Sequence, residues 1–372
     1  MIYFDNAATG GRKPDTVLTA ATAALRLCAN PGRSGHRLSV TLAERILACR
    51  KLLAEYFDCE SYENVVFTKN CTEALNLLLF GTLRAGDHVV TTCMEHNSVL
   101  RPLHRLATLG IITYDVCPLQ EGTIAPEAIA ARLRPNTKAV IVTAASNVTG
   151  TPLCLPSIKK ILPKSVLFFC DGAQGGGHLP LKMQGAGLDA LCLAGHKGLL
   201  GIAGSGALLF SSRILPRPLL YGGTGSMSHS LEMPDFSPDA LEAGTLNYPA
   251  IASLFEGVNY LSVHGNAVAT HLRALTRYAI DGLTHFHGVR VYSNENPCGI
   301  VAFSHAAHPS ELLATELSQS YDIATRGGLH CAPLMHEALQ TAEDGLLRIS
   351  FDHANAKEEI DEFLSCLAKI FR

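Results

Sequence analysis

The chain has little charge and no strong excess of either sign. Its 372 residues have a formal net charge of −3, and 17% of them are charged. A surface that binds nucleic acid or an anionic membrane carries a clear positive excess, so neither partner is expected. The low charge accompanies a hydrophobic fraction of 47%, which is typical of a compact soluble protein with a large core.

Paired cysteines are missing too. The 12 cysteines are scattered singly, and no Cys-x-x-Cys spacing occurs, which argues against a disulfide framework and a zinc ribbon. Neighbours such as Cys331 and His336 have the wrong ligand number and spacing for zinc, so no metal is expected. Residues 2–5 already resemble folded sequence, with no positively charged leader before them, and we expect a cytoplasmic protein.

One stretch has the length and apolar character of a membrane span. Residues 188–210 contain Asp189, His196 and Lys197, however, and glycines interrupt the pattern. Those polar and charged side chains would be costly in lipid. We therefore expect a strand, a turn and a strand inside a core, and no membrane partner.

Helical and strand-like patterns alternate along most of the chain, which is typical of an α/β fold with crossover helices. Several of the strands lack polar alternation, as expected for a parallel sheet covered on both faces. Strands are predicted at 64–68, 88–92, 111–114, 139–143, 166–170, 189–193 and 206–210, with helices at 14–29, 38–57 and 72–82.

The pattern changes after residue 247. Long helices are predicted at 249–264 and 267–285, followed by a smaller α+β unit. That unit has strands near 299–303 and 346–350 and a final helix at 356–371, which Asn355 is expected to cap.

The most informative segment is Gly195-His196-Lys197-Gly198, which follows Asp171-Gly172-Ala173-Gln174 in the chain. A buried lysine between glycines, with an acid and an amide at a strand end, is suited to hold pyridoxal phosphate (PLP). The amine bonds the aldehyde, and burial lowers the lysine pKa so that the amine can attack. The carboxylate keeps the pyridine nitrogen protonated, so the ring can accept electrons.

Three more segments follow predicted strands, where open α/β sheets bind ligands. Thr72 opens a helix whose amides can hold a phosphate, although Asn70 and Glu73 also fit a plain capping box. His96 can lie flat against an aromatic cofactor or be an ordinary loop histidine. Asn147 can donate to the cofactor phenolate or the substrate carboxylate, or serve only a turn.

Two features of the C-terminal part also suggest chemistry. Cys331 lies between glycines and a proline on a constrained loop, where His330 and Arg326 can favour its thiolate. The alternative is that it is one more free cysteine. Arg348 is a cation within an apolar strand, and a bidentate grip on an α-carboxylate would satisfy it.

With these residues assembled, the chain resembles the class V aminotransferase group of fold-type I PLP enzymes, and among them cysteine desulfurases and selenocysteine lyases of the Suf-type branch. The motifs that carry the resemblance are residues 3–9, 30–36, 95–96, 171–174, 195–197, 222–226 and 242–247. The resemblance implies a large PLP-binding domain at 15–247 with a mostly parallel seven-stranded sheet. Residues 1–14 and 248–372 would form a small α+β domain.

The resemblance also implies roles for individual residues. Lys197 holds PLP, Asp171 pairs with the ring nitrogen, and Gln174 contacts the ring oxygen. His96 stacks on the ring. The remaining cofactor contacts, most of them to phosphate, are expected from Cys71, Thr72, Asn147 and His196, and from Thr224 of a second subunit, which implies a homodimer.

On the substrate side, Cys331 matches the sulfur-accepting cysteine and Arg348 the carboxylate-binding arginine. Asn147 is expected to assist Arg348, and Arg326 matches an arginine of the same loop. Ala194 and Leu329 stand where the family often has a hydroxyl residue and a second histidine.

The implied reaction converts L-cysteine to L-alanine and leaves a persulfide on Cys331 for a sulfur-acceptor protein. Alternatives are a selenocysteine lyase, and an aminotransferase or other β-lyase that acts on another amino acid. A non-catalytic partner protein is a further alternative, which the intact Lys197 and Asp171 disfavour.

Overall fold

The computed structural model describes residues 1–27 and 29–372. The strands are β1 (Ile2–Tyr3), β2 (Val65–Thr68), β3 (Asp87–Thr92), β4 (Ile112–Cys117), β5 (Thr137–Thr143), β6 (Leu167–Asp171), β7 (Ala190–Ala194), β8 (Gly206–Phe210), β9 (Val289–Val291), β10 (Ile300–His305), β11 (Ile323–Ala324) and β12 (Leu347–Ser350).

The helices are α1 (Asp15–Leu25), α2 (Arg37–Tyr56), α3 (Cys71–Thr82), α4 (Asn97–Thr108), α5 (Pro126–Ala130), α6 (Leu155–Ile161), α7 (Met183–Ala186), α8 (Tyr248–Leu283), α9 (Ser310–Tyr321), α10 (Pro333–Leu339) and α11 (Lys357–Ile370). None of these described helices is both long and apolar enough to span a bilayer.

A seven-stranded sheet in the order β2-β8-β7-β6-β5-β3-β4 forms the centre of the molecule. Its pairs are parallel except those that β8 makes with β2 and β7. Alternate residues of β5 face two separate cores: Val140 packs into one and Ile141 into the other. Burial on both faces explains the continuous apolar runs of these strands. The predicted α/β fold with a mostly parallel sheet is confirmed.

The apolar stretch 188–210 forms β7, a turn and the antiparallel β8 inside this sheet. The predicted strand, turn and strand are therefore confirmed. The turn between them contains Lys197, which places the lysine at the carboxyl edge of the sheet.

The C-terminal part contains an antiparallel sheet in the order β12-β10-β9, which packs with α11 and the end of α8. Residues near the start of α8, such as Leu254, belong to the core of the large sheet, whereas Leu272 belongs to the C-terminal core. One helix thus joins both cores. The domain division at residues 14 and 247 stays a prediction.

Three predicted helices in the C-terminal part are wrong in detail. The helices expected at 249–264 and 267–285 form the single α8, because the chain continues helically through Gly265 and a lone glycine costs a helix only about 1 kcal/mol. Ala356, not Asn355, is the residue before α11. The Asn355 side chain instead accepts the Asp352 amide and donates to Glu359.

The first predicted helix, at 14–29, is also shorter in the structure. It ends at Leu25, and Cys28, which the prediction included, lies outside the described residues. The N-terminal strand β1 pairs in parallel with β11. Asp5 then bridges to Ser350, so the N-terminal segment runs beside the C-terminal sheet.

Candidate active site

A cavity of about 170 Å³ lies at the carboxyl edge of the large sheet. It brings together most of the predicted cofactor residues, together with several neighbours that the sequence did not suggest. Its lining consists of Asn70, Cys71, Thr72, His96, Ser98, Thr143, Asn147, Asp171, Ala173, Gln174, Ala194, His196 and Lys197. Larger cavities exist elsewhere, but they contain none of these residues.

Lys197 enters the cavity from the turn after β7. Burial lowers the pKa of its amine, while the nearby Asp171 carboxylate acts in the opposite direction. The flanking Gly198 has no room for a side chain, because the Gly176 carbonyl and the His178 ring occupy the place of a Cβ. The glycine is therefore needed for close packing behind the lysine.

Asp171 ends β6 and is only 3% exposed. Its Oδ1 accepts a hydrogen bond from the Ala173 amide at 2.9 Å and lies 3.3 Å from the Cys71 thiol. Burial, followed by the Asp171 charge, raises the pKa of Cys71 well above its usual range. Cys71 therefore remains a neutral thiol that donates to Asp171.

His96 caps α4 and faces the same cavity. Its Nδ1 accepts the Ser98 amide at 3.0 Å, so the proton of the neutral ring is on Nε2. Burial is the main cause that lowers the His96 pKa to about 4. The ring is thus uncharged at neutral pH, which suits stacking on an aromatic group.

Hydroxyl groups meet where two helices begin. The Thr72 hydroxyl at the start of α3 is 2.8 Å from the Ser98 hydroxyl at the start of α4. Helix N-termini and hydroxyls are favourable surroundings for a phosphate. Ser98 was not predicted from the sequence, although its place two residues after His96 was a usable signal.

His196 and Gln174 are both attached to the N-terminal segment. His196 Nδ1 is 3.0 Å from the Thr9 hydroxyl, and burial together with Lys197 lowers the His196 pKa to about 4. The Gln174 amide donates to the Ala7 carbonyl at 2.9 Å. Residues 7–9 are therefore hydrogen-bonded to two residues that line the cavity.

Asn147 connects the cavity with the loop that carries Cys331. Its Nδ2 donates to the His330 carbonyl at 2.7 Å. Its Oδ1 is buried and has no hydrogen-bond partner among the described residues. An acceptor without a partner at this position is available to a bound molecule that has a donor.

The Cys331 loop, defined here as residues 326–332, presents an exposed thiol. His330 and Cys331 have positive φ values of 51° and 58°, a strained backbone conformation for residues other than glycine. The Arg326 Nη2 lies 3.9 Å from the Cys331 sulfur, so Arg326 is placed to stabilise a thiolate.

The expectation that His330 also favours the thiolate is wrong. Its ring is only 2% exposed, and its Nε2 donates to the Leu346 carbonyl at 3.0 Å. Burial and the charge of Arg348 lower the His330 pKa well below its usual range. The ring is therefore neutral and is held inside the fold.

Arg348 is 1% exposed and already has an internal anion. Its Nη2 is 2.9 Å from Asp5 Oδ1, and its Nη1 donates to the Asn147 carbonyl at 2.9 Å. Its buried Nε has no partner among the described residues. Asp5 was not predicted as a partner of Arg348, although it belongs to the N-terminal motif at 3–9.

Thr224 is the predicted cofactor-binding residue that the single chain does not bring to the cavity. It lies beside Arg33 and Ser226, in a different cavity of about 310 Å³. Its side chain contacts Ser226 of its own loop. A place near Lys197 would have to come from a second subunit, as the resemblance implies.

The residues present fit PLP. A lysine amine with a lowered pKa, a buried acid, a neutral imidazole and hydroxyls at two helix starts match the aldehyde, ring nitrogen, ring face and phosphate. The unpartnered Asn147 Oδ1 adds one free polar contact. No group of three His, Cys, Asp or Glu side chains suited to a metal occurs in the described part of the chain.

The fold and this site define a fold-type I enzyme of the PLP-dependent class. The chain belongs to the class V aminotransferase family, since the model of that family, described as "Aminotransferase class-V", matches residues 2–363. The family relationship predicted from the sequence is thereby confirmed.

Two relatives of this chain are named as cysteine desulfurases. A probable cysteine desulfurase of Borreliella burgdorferi is 29% identical over 100% of this chain and 92% of its own length. A cysteine desulfurase of Salmonella dublin is 30% identical, covering 100% of this chain and 94% of the relative.

Solved structures agree with these relatives. The apo structure of a cysteine desulfurase from Thermococcus onnurineus has a TM-score of 0.90 and 29% identity, covering 100% of this chain and 94% of the other. An Escherichia coli cysteine desulfurase in an S-sulfonic acid form has a TM-score of 0.88 and 27% identity, covering 99% and 94%.

Proposed function

We propose that this protein is a PLP-dependent cysteine desulfurase, which converts L-cysteine to L-alanine and takes the sulfur onto Cys331. The observation that carries the proposal is the exposed Cys331 thiol beside Arg326, on a loop that is hydrogen-bonded to Asn147 of the Lys197 cavity. An aminotransferase has no need of a thiol at this position. The full-length similarity to cysteine desulfurases supports the same activity.

The cavity residues would share the binding of the cofactor. Lys197 would bond its aldehyde, Asp171 would pair with its ring nitrogen, Gln174 would contact its ring oxygen, and His96 would cover its ring. Thr72, Ser98 and His196 would hold the phosphate, together with Thr224 from a second subunit of a homodimer. When bound, PLP withdraws electrons from the α-carbon of an amino acid, so that bonds near this carbon become easier to break.

The remaining work falls to side chains of the chain itself. Arg348, with the second N–H of the Asn147 side-chain amide, holds the substrate carboxylate. Lys197, whose pKa burial lowers, takes the α-proton and later returns protons to the product. His96 stays neutral because burial lowers its pKa to about 4, and it assists these transfers through Nε2.

Cys331 accepts the sulfur as a thiolate. An S–S bond forms between Cys331 and the substrate sulfur, while the bond between that sulfur and the substrate β-carbon breaks. The electron pair of the broken bond stays on the β-carbon, which is protonated to give alanine. No external oxidant or reductant is consumed, and the persulfide passes its outer sulfur to an acceptor protein.

The test is to incubate the homogeneous protein, loaded with PLP, with L-cysteine and to measure alanine and protein-bound persulfide. We expect equimolar alanine and persulfide in a single turnover. Cys331→Ala should keep the cofactor absorbance and lose the persulfide. Undiminished sulfide release by this variant would reject the proposal. Competition between selenocysteine and L-cysteine, in wild type and in Cys331→Ala, distinguishes a cysteine desulfurase from a selenocysteine lyase, which does not need the thiol.

A further inference from the structure

Among the described residues, the Arg326 guanidinium at 3.9 Å is the one hydrogen-bond partner of the Cys331 thiol. Its loop is held mainly by backbone groups. The Cys331 carbonyl accepts the Asn97 amide at 2.7 Å, and the Ala332 amide bonds the Leu329 carbonyl at 2.9 Å. A loop with positive φ at two consecutive residues needs such hydrogen bonds to keep its shape.

One buried side chain reaches this loop from the cofactor cavity. Asn147 is 7% exposed and lines the cavity. Its Nδ2 donates to the carbonyl of His330, the residue just before Cys331. Because a carbonyl can only accept, the orientation of the amide is fixed, and its Oδ1 faces away from this bond.

The backbone of the same residue is attached to Arg348. The Asn147 carbonyl accepts Arg348 Nη1 at 2.9 Å. Arg348 also exchanges backbone hydrogen bonds of 3.1 and 2.8 Å with Arg326 at the start of the Cys331 loop. Arg348 is therefore connected to the Cys331 loop by two routes. One runs through Asn147 and the other through Arg326.

We propose that Asn147 is a positioning residue for the sulfur-accepting thiol, aligning the Cys331 loop with Arg348 through its side-chain amide and its backbone carbonyl. The inference rests on the proposed desulfurase activity and adds a second role to an expected ligand-binding residue. Carboxylate binding and sulfur acceptance then depend on one hydrogen-bonded unit, so the thiol is in place before substrate arrives.

The variants Asn147→Ala and Asn147→Asp both remove the donor to His330 while leaving the backbone carbonyl for Arg348. Thr149→Val is the matched control, because it alters the same turn and its hydroxyl is hydrogen-bonded, among the described residues, to Thr151 alone. The first measurement is hydrogen exchange of the cofactor-free proteins. We expect the amides of Ala332 and Asn97 to exchange roughly tenfold faster in both Asn147 variants than in wild type. In the Thr149→Val control these amides should exchange at the wild-type rate.

The second measurement separates two steps in the PLP-loaded proteins. Deuteration of L-alanine at its α-carbon in D₂O needs Lys197 and Arg348 but no thiol. Persulfide formation from L-cysteine also needs Cys331 in place. We expect persulfide formation to fall about 100-fold, as for a misplaced reacting group. α-Deuteration should fall by a much smaller factor, because the variants lose a carboxylate contact of Asn147 but keep Lys197 and Arg348.

Two results would overturn the role of Asn147. One is loop exchange that does not change in either variant, and the other is an equal fall of α-deuteration and persulfide formation. Absence of persulfide in the wild type would instead reject the desulfurase activity. The exchange measurement on cofactor-free protein still decides the loop contact in that case.

Discussion

Asp5 and Arg348 form an ion pair of 2.9 Å between residues 343 positions apart in the chain. The arginine is buried and the aspartate is partly exposed. The pair joins the N-terminal segment to β12 at the edge of the active site. A buried guanidinium without an anion is costly. Asp5 supplies that anion before any substrate carboxylate binds.

Replacing Asp5 with asparagine should therefore lower both stability and substrate affinity. The free energy of unfolding should fall by about 3 kcal/mol, since Arg348 loses its charged partner. The KM for cysteine should rise more than kcat falls, because the arginine that receives the carboxylate is no longer aligned. Urea unfolding and steady-state kinetics measure the two effects.

The control for this variant is Asp322→Asn. Asp322 pairs with the N-terminal amine at 2.7 Å, but both groups are largely exposed, and such a pair contributes at most about 1 kcal/mol. If Asp5→Asn were no more destabilised than Asp322→Asn and had an unchanged KM, Asp5 would have no part in holding Arg348.

The main sheet was predictable because its strands are continuous apolar runs between turns. Asp171 and Lys197 were predictable because polar residues follow such runs at the carboxyl edge. The helix α4 was missed, since His96 caps it with a ring nitrogen and Pro102 lies inside it. Neither feature is a usual helix signal.

Contacts between distant segments were beyond the sequence patterns. The bond from Asn147 to His330 joins residues 183 positions apart, and no local periodicity specifies it. The inward direction of the His330 ring could not be predicted either. A histidine next to a cysteine in the sequence can face the thiol or the interior of the fold. The role assigned to that ring was wrong for this reason.

Glu95 is a fully buried acid that the mechanism does not use. Its Oε1 accepts the Thr92 hydroxyl at 2.6 Å and the Thr143 amide at 3.0 Å, while Oε2 has no partner among the described residues. Burial is the main cause that raises the Glu95 pKa to about 8, with Asp171 adding to it. The folded protein thus holds a proton that the unfolded chain releases above about pH 4.5.

Stability should consequently fall as pH rises through the range between these two pKa values, because the folded state binds more protons there. Glu95→Gln removes this loss. Its free energy of unfolding relative to wild type should increase by about 2 kcal/mol or more between roughly pH 5 and pH 8. Exposed Glu316 on α9, changed to glutamine, is the control. A Glu95→Gln difference that stays constant with pH would show that Glu95 is ionised in the fold.

Lys197 is the side chain on which every cofactor assignment depends. Borohydride reduction of the protein incubated with PLP should fix a pyridoxyl group on this amine, and peptide mass mapping locates it. Lys197→Arg keeps a cation but has no primary amine, so it should give no label at this position. Its cysteine turnover should fall by about 100- to 10,000-fold, the range for loss of a general acid–base group.

Lys13, which is also partly buried with a pKa lowered to about 8, is the natural competitor for the reagent, and Lys13→Arg should leave the label on residue 197. A reduced cofactor found on Lys13 alone would place the active amine outside the cavity that contains Asp171 and His96.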